Sequence, residues 1–221
     1  MLLEQERHWV VEYGKRLITH GLTRGTSGNI SIFNRERGFA AVSPSGLDYL
    51  ETRPEDVPVV DIAGQIVDGN RKPSSELPFH LIFYNSRQDI SAVVHTHSVH
   101  ATTLACLGLE LPPVHYLIGF AGSNVRCAQY ATFGTADLAR NARDAMAGRK
   151  AVLLANHGLI AGGADINEAF KIAESVEFCA EIYCRTRAVG QPLILSDAEM
   201  ELLIEKFKSY GNTSSKRLDC H

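Results

Sequence analysis

Two short apolar runs that lead into histidines constrain this chain more than any other feature. Ala92-Val93-Val94 runs into His95-Thr96-His97, and Ala151-Val152-Leu153-Leu154-Ala155 runs into Asn156-His157-Gly158. Each run is of strand length and apolar at both odd and even positions. A strand of that kind has to be covered on both faces, so it belongs inside a sheet with layers above and below. Its polar end is where the chain leaves the core, and histidines carried on such ends can meet.

The surrounding pattern supplies the layers. Residues 3–20 predict an amphipathic helix, with Trp9, Val10, Tyr13 and Leu17 at three- and four-residue intervals and Gly21 as its stop. After the turn Gly25-Thr26-Ser27-Gly28-Asn29, the alternating segment Ile30-Ser31-Ile32-Phe33 predicts a strand, with residues 38–43 as its hairpin partner. Residues 57–62 and 65–67 predict a second hairpin. A helix is expected after Ser74-Ser75-Glu76, a long one from Asp165 to about Val189, and a last one from Ser196-Asp197-Ala198-Glu199 to Tyr210. The expected fold class is therefore α/β: a single three-layer domain with a largely antiparallel central sheet flanked by helices. Residues 1–211 form that domain, and the polar residues 212–221 are expected as a loose tail.

Composition narrows the function. At 221 residues, 45% hydrophobic and 21% charged, the chain can bury a substantial core, and no linker-like stretch divides it. A net charge of −3 gives no reason to expect nucleic acid as a partner, and no apolar stretch approaches the roughly 20 residues that cross a bilayer. The five cysteines are an odd number without CxxC spacing, and the charged N-terminus does not read as a signal peptide. A cytoplasmic protein is the expectation.

His95 and His97 stand two apart on a predicted strand, so both imidazoles point to one side. His157, past the second apolar run, is the natural third ligand for a zinc-like divalent ion, which keeps one position open in catalytic sites. The other histidines have plainer readings. His8, His20 and His221 are expected in solvent, and His80 as a satisfied, partly buried residue. His100 is expected not to be a ligand, and His115 stands beside Tyr116 where it could line a pocket. Glu76 reads from its position alone either as a helix N-terminal acid or as a functional carboxylate. Gly28-Asn29, Ser45-Gly46 and Ser74-Ser75 are turns whose N–H and O–H donors could hold a phosphate, although residues of these types are commonly only turns and caps.

Taken in order, Gly25-Thr26-Ser27-Gly28-Asn29-Ile30-Ser31, Pro73-Ser74-Ser75-Glu76, Val94-His95-Thr96-His97-Ser98-Val99-His100, Tyr130-Ala131-Thr132-Phe133-Gly134-Thr135 and Asn156-His157-Gly158-Leu159 resemble the class II aldolase/adducin family. The resemblance covers nearly the whole chain apart from the tail. It implies one zinc ion held by His95, His97 and His157, with Glu76 as acid/base carboxylate that also ligates the metal when substrate is absent. It implies phosphate binding at Gly28, Asn29, Ser45, Gly46, Ser74 and Ser75. It further implies that Tyr116 acts as proton donor from a neighbouring subunit of a fourfold-symmetric homotetramer, and that Phe133 and Tyr210 shape the aldehyde end. The implied reaction cleaves a ketose 1-phosphate, L-fuculose 1-phosphate or a related 5-deoxy-ketose 1-phosphate, to dihydroxyacetone phosphate and a small aldehyde.

Two departures from the family pattern bear on the aldehyde: Asn156 stands where a second histidine would precede the metal ligand, and residues 117–124 form a different, shorter loop. A pentulose-phosphate 4-epimerase and a methylthioribulose-1-phosphate dehydratase share the family. An adducin-like module without chemistry is disfavoured by the three histidines. The seven lysines lie in polar or helix-surface contexts, which disfavours a Schiff-base aldolase.

Overall fold

In the computed structural model residues 1–209 are described; Tyr210 and the tail lie outside the described residues. Eight strands form one sheet. They are β1 (Asn29–Asn34), β2 (Phe39–Val42), β3 (Val59–Asp61), β4 (Ile66–Asp68), β5 (Ala92–Thr96), β6 (Cys127–Ala128), β7 (Ala151–Leu154) and β8 (Gly158–Gly163). Their order across the sheet is β4-β3-β2-β1-β5-β8-β7-β6. Every pairing is antiparallel except that of β6 with β7. Six helices accompany them: α1 (Glu4–Thr19), α2 (Leu77–Ser86), α3 (Val99–Cys106), α4 (Ala136–Ala145), α5 (Ile166–Val189) and α6 (Asp197–Ser209).

The doubly apolar strands do what their composition requires. Val94, Leu153 and Leu159 point into one core with Leu17, Leu104, Phe170 and Val176, under α1, α3 and α5. Val93, Val152 and Ile160 point into a second core with Phe79, Phe83, Leu138 and Ala142, under α2 and α4. Consecutive residues of one strand thus feed opposite cores, giving the expected three layers. Each such buried aliphatic or aromatic side chain contributes about 1.5–3 kcal/mol over its exposed state.

The helix ends follow local chemistry. Asp165 caps α5 by accepting from the Glu168 N–H at 2.8 Å, and the helix runs to Val189 with Gly190 as its C-cap. Ser196 accepts from the Glu199 N–H at 3.2 Å at the start of α6. In α1 the stripe of Val10, Tyr13 and Leu17 is buried, but Trp9, expected on the same face, is 39% exposed. The place inside is taken by Arg7, whose guanidinium reaches Asp68 at 2.6 Å and the Leu2 carbonyl at 2.8 Å.

One strand that the sequence reading did not draw shapes the site: β8 lies between β7 and β5, the two strands that run into the histidines. With Gly158, Gly162 and Gly163, this strand lacks the side chains that mark a strand in sequence. The neighbours explain them: a Cβ on Gly162 would lie 2.8 Å from Ile90 Cδ1. A Cβ on Gly158 would lie 2.3 Å from the Thr96 carbonyl oxygen, and one on Gly163 would lie 2.5 Å from the Ala169 amide nitrogen.

Candidate metal centre and its cavity

Three elements converge at one end of the sheet. His95 is on β5, His97 is one residue past its end, and His157 sits in the tight β7–β8 turn, after Asn156 at a φ of +54°. Glu76 precedes α2 and is brought over the strand ends by that helix. The His95 and His97 Nε2 atoms are 3.0 Å apart, and Glu76 Oε2 lies 3.2 Å from His95 Nε2. One ligand-type atom from each of Glu76, His95, His97 and His157 lies within 4.8 Å of all the others.

The donor set fits a metal ion. His95 Nδ1 contacts the Leu159 carbonyl at 2.9 Å, and a carbonyl can only accept, so Nδ1 carries the proton. That leaves Nε2 as the nitrogen His95 presents to the cluster, facing another imidazole nitrogen and a carboxylate. Burial, then the neighbouring His95 and His157, pushes the His97 imidazole down to about 4. Burial pushes the Glu76 carboxyl up, but the His157 and His95 imidazoles beside it outweigh that and hold it well below the usual carboxylate range. Glu76 Oε1 is buried without a hydrogen-bond partner, although His157 Nε2 comes within 3.2 Å, because the approach lacks hydrogen-bond geometry. Imidazole nitrogens and an ionised carboxylate packed this closely need positive charge among them, supplied by protons in the metal-free chain and by a cation when one is bound.

A cavity of about 350 Å³ opens from this cluster. Its walls include Gly28, Asn29, Ser45, Gly46, Ser74 and Ser75, so all three small-residue turns reach the same space as Glu76, His97 and His157. Backbone bonds tie two of these turns together: Ser45 N–H donates to the Lys72 carbonyl at 2.9 Å, and Ser74 N–H to the Ser43 carbonyl at 3.0 Å. Ser74 Oγ accepts from the Glu76 N–H at 3.2 Å, which sets the entry of α2. The Asn29 side chain is largely engaged within the protein: Nδ2 donates to Glu76 Oε2 at 2.9 Å, and Oδ1 faces His80 Nε2 at 2.6 Å. Gly28 has a φ of +72°, and a Cβ there would lie 2.7 Å from the His95 carbonyl oxygen. Only glycine lets this turn lie so close to the strand that carries the histidines.

The family of class II aldolase and adducin N-terminal domains matches residues 8–184. The chain belongs to that family.

Among curated relatives, a 5-deoxy-D-ribulose 1-phosphate aldolase of Bacillus thuringiensis serovar kurstaki is 59% identical over 96% of this chain and 99% of its own length. A 5-methylthioribulose-1-phosphate/5-deoxyribulose-1-phosphate aldolase of Rhodospirillum rubrum is 46% identical over 94% of this chain and 93% of its own. An L-fuculose phosphate aldolase of Escherichia coli K12 is 41% identical, over 86% and 88%. Among solved structures, an L-fuculose 1-phosphate aldolase superposes with a TM-score of 0.91 at 51% identity, covering 92% of this chain and 96% of that one.

Within this class II aldolase-family chain the remaining expected site residues divide. Phe133 lines the cavity and is 65% exposed. Tyr116 does not line it. It opens the 3₁₀ turn Tyr116–Phe120 between His115 and the Phe207 ring of α6, and is 49% exposed. Tyr210 lies outside the described residues. His100 bonds Glu177 at 2.9 Å rather than joining the metal cluster, and His115 contacts Tyr116 and Phe178. His80 is wholly buried, not partly. Thr26, Ser27, Tyr130 and Asn156 also line the cavity and were not singled out as site residues in the sequence. All four fall within the motifs quoted for the family, and that was the available signal. No helix among the described residues is long and apolar enough to cross a membrane.

Proposed function

We propose that this class II aldolase is a zinc-dependent lyase that cleaves a ketose 1-phosphate, with 5-deoxy-D-ribulose 1-phosphate the first candidate and L-fuculose 1-phosphate the second. The products are dihydroxyacetone phosphate and a small aldehyde. The observation that carries the chemistry is the cluster of Glu76, His95, His97 and His157 with an unpartnered carboxylate oxygen, opening onto a cavity walled by hydroxyl- and glycine-rich turns. The relatives at 59% and 46% identity, both named for 5-deoxyribulose 1-phosphate, favour that substrate over fuculose phosphate.

The ion would be held by the three histidines and, before substrate enters, by Glu76. When bound it supplies a Lewis acid that polarises the substrate carbonyl. Gly28, Ser45, Gly46, Ser74 and Ser75 hold the phosphate through hydroxyls and backbone N–H groups, with the spare hydrogen of Asn29 Nδ2. In the condensation direction the ionised Glu76 takes the proton from C3 of dihydroxyacetone phosphate, and in cleavage it returns it. Tyr116 reaches the site from a neighbouring copy in a homotetramer and gives its proton to the aldehyde oxygen. Its half-exposed position away from its own cavity supports that reading. Phe133 shapes the aldehyde end. Residues 1–211 act as one catalytic unit, and the free thiols of Cys106, Cys127, Cys179 and Cys184 suit a reducing cytoplasm.

The test is a substrate panel on zinc-loaded protein: 5-deoxy-D-ribulose 1-phosphate, L-fuculose 1-phosphate, 5-methylthioribulose 1-phosphate and ribulose 5-phosphate. Dihydroxyacetone phosphate is expected from the first with the highest kcat/KM. Its absence with every ketose 1-phosphate would overturn the aldolase reading, and xylulose 5-phosphate from ribulose 5-phosphate would replace it with an epimerase.

A further inference from the structure

Behind Glu76 a single file of buried polar groups runs between α2 and β1. Glu76, His80 and Tyr84 are spaced four apart, so they form one stripe of the helix. Asn29 and Ser31 are two apart on the strand, so they share the face that meets this stripe. The contacts alternate between the two elements. Tyr84 Oη lies 2.5 Å from Ser31 Oγ, Ser31 Oγ 2.6 Å from His80 Nδ1, and His80 Nε2 2.6 Å from Asn29 Oδ1. Asn29 Nδ2 then donates to Glu76 Oε2 at 2.9 Å. Ser31 and His80 are fully buried, and Asn29, Glu76 and Tyr84 nearly so.

The chemistry of the groups fixes the direction of every bond. An ionised carboxylate only accepts, so Asn29 must turn its amide nitrogen to Glu76 and its oxygen to His80. His80 must therefore carry its proton on Nε2. Burial, with His95 a lesser cause, pushes the His80 imidazole down to about 3, so the ring is neutral and Nδ1 is an acceptor. Ser31 donates to Nδ1, and Tyr84 donates to Ser31. Five residues thus form one polarised chain of donors ending on Oε2, which leaves Oε1 as the oxygen without a hydrogen bond.

We propose that His80, backed by Ser31 and Tyr84, is a positioning residue that fixes the orientation of the Asn29 amide and through it aims the Glu76 carboxylate. A core satisfied by apolar residues would hold α2 on β1 equally well. What this chain adds is a set direction at the Asn29 amide, which otherwise could present its oxygen to Glu76 and repel it. For what Glu76 then does, the inference rests on the aldolase reading above.

The test joins a spectroscopic readout to kinetics. Nitrogen-15 imidazole spectra of zinc-loaded wild-type protein are expected to show His80 neutral and protonated on Nε2 across the working pH range. Ser31→Ala and His80→Leu are expected to lower kcat on the order of 10–100-fold, the range seen when groups behind metal-site ligands are removed, with KM changed far less. His80→Gln, which can donate through its amide and accept through its carbonyl, is expected to recover most of that loss. Tyr84→Phe, at the far end, is expected to stay within a few-fold of wild type. Should His80→Leu fail to fold, Ser31→Ala carries the decision. An Nδ1-protonated or cationic His80, a wild-type kcat in Ser31→Ala, or a loss that His80→Gln does not recover would each overturn the proposal. If wild type cleaves no ketose 1-phosphate, the aldolase reading fails, and the His80 tautomer still judges the chain on its own.

Discussion

Asn29 and His95 face one another as direct partners across the antiparallel pair β1–β5. Through this one pairing the turn that ends at Asn29 and the strand that carries two histidines are locked in register. A slip of one residue would turn His95 and its neighbours to the opposite faces of the sheet. The cluster and the cavity wall are therefore two consequences of one ladder, and substitutions at either are expected to be felt at both.

Removing one imidazole tests the metal centre directly. His157→Ala takes away the one histidine that comes from the β7–β8 turn and leaves both β5-side rings in place. Zinc content by elemental analysis is expected to fall well below one ion per chain after dialysis, with aldolase turnover falling in parallel. Unchanged zinc content would exclude His157 from the ligand set.

Glu76→Gln separates charge from shape. The amide can occupy the same space but cannot carry a proton between carbon and solvent, so kcat is expected to drop on the order of 10²–10⁴-fold while zinc remains bound. A near-normal rate would show that Glu76 is not the base.

Gly28→Ala introduces both a strained φ, +72°, and a Cβ 2.7 Å from the His95 carbonyl oxygen. A residue forced into that conformation costs of order 1–3 kcal/mol, and here the collision adds displacement of β5. The urea midpoint should fall, and zinc affinity with it. Gly21→Ala is the control, because it has a similar positive φ, +69°, with nothing within 4 Å of the added carbon.

Buried His80 predicts an acid limb to stability. Its ordinary value is 6.5 and the folded protein holds it near 3, so between those values the unfolded chain binds the extra proton. This contribution is fully present above about pH 6.5 and is lost as pH falls towards 3. The depressed His97 and Glu76 act in the same direction in metal-free protein. The urea midpoint of metal-free wild type should therefore drop as pH is lowered through this window, and less steeply in His80→Gln. An equal slope in the two proteins would rule out the His80 contribution.

Much of the fold was legible because local rules and burial agree. The first two hairpins, α1, α2, α5 and α6 follow from alternation, helical spacing and caps such as Asp165 and Ser196, and the two histidine-ended runs are central strands. β8 was not legible, because Gly158, Gly162 and Gly163 take their meaning from atoms of other segments pressed against them. The helices α3 and α4 and the two-residue β6 were likewise not drawn from the sequence; α4 is held by contacts with α2 and by the Thr135 cap.

The sequence by itself determined the chemistry available: three imidazoles, one carboxylate at a helix start and three donor-rich turns, in an order that resembles one family. It also determined which runs must lie inside, since a strand apolar on both faces has nowhere else to go. Only the tertiary structure decided that β8 separates the two histidine-bearing strands, that Tyr116 stands apart from its own chain's cavity, and that Asn29 turns its nitrogen to Glu76. The reason is physical: hydrogen-bond direction and close approach depend on which distant segment faces a residue, and spacing along the chain does not contain that information.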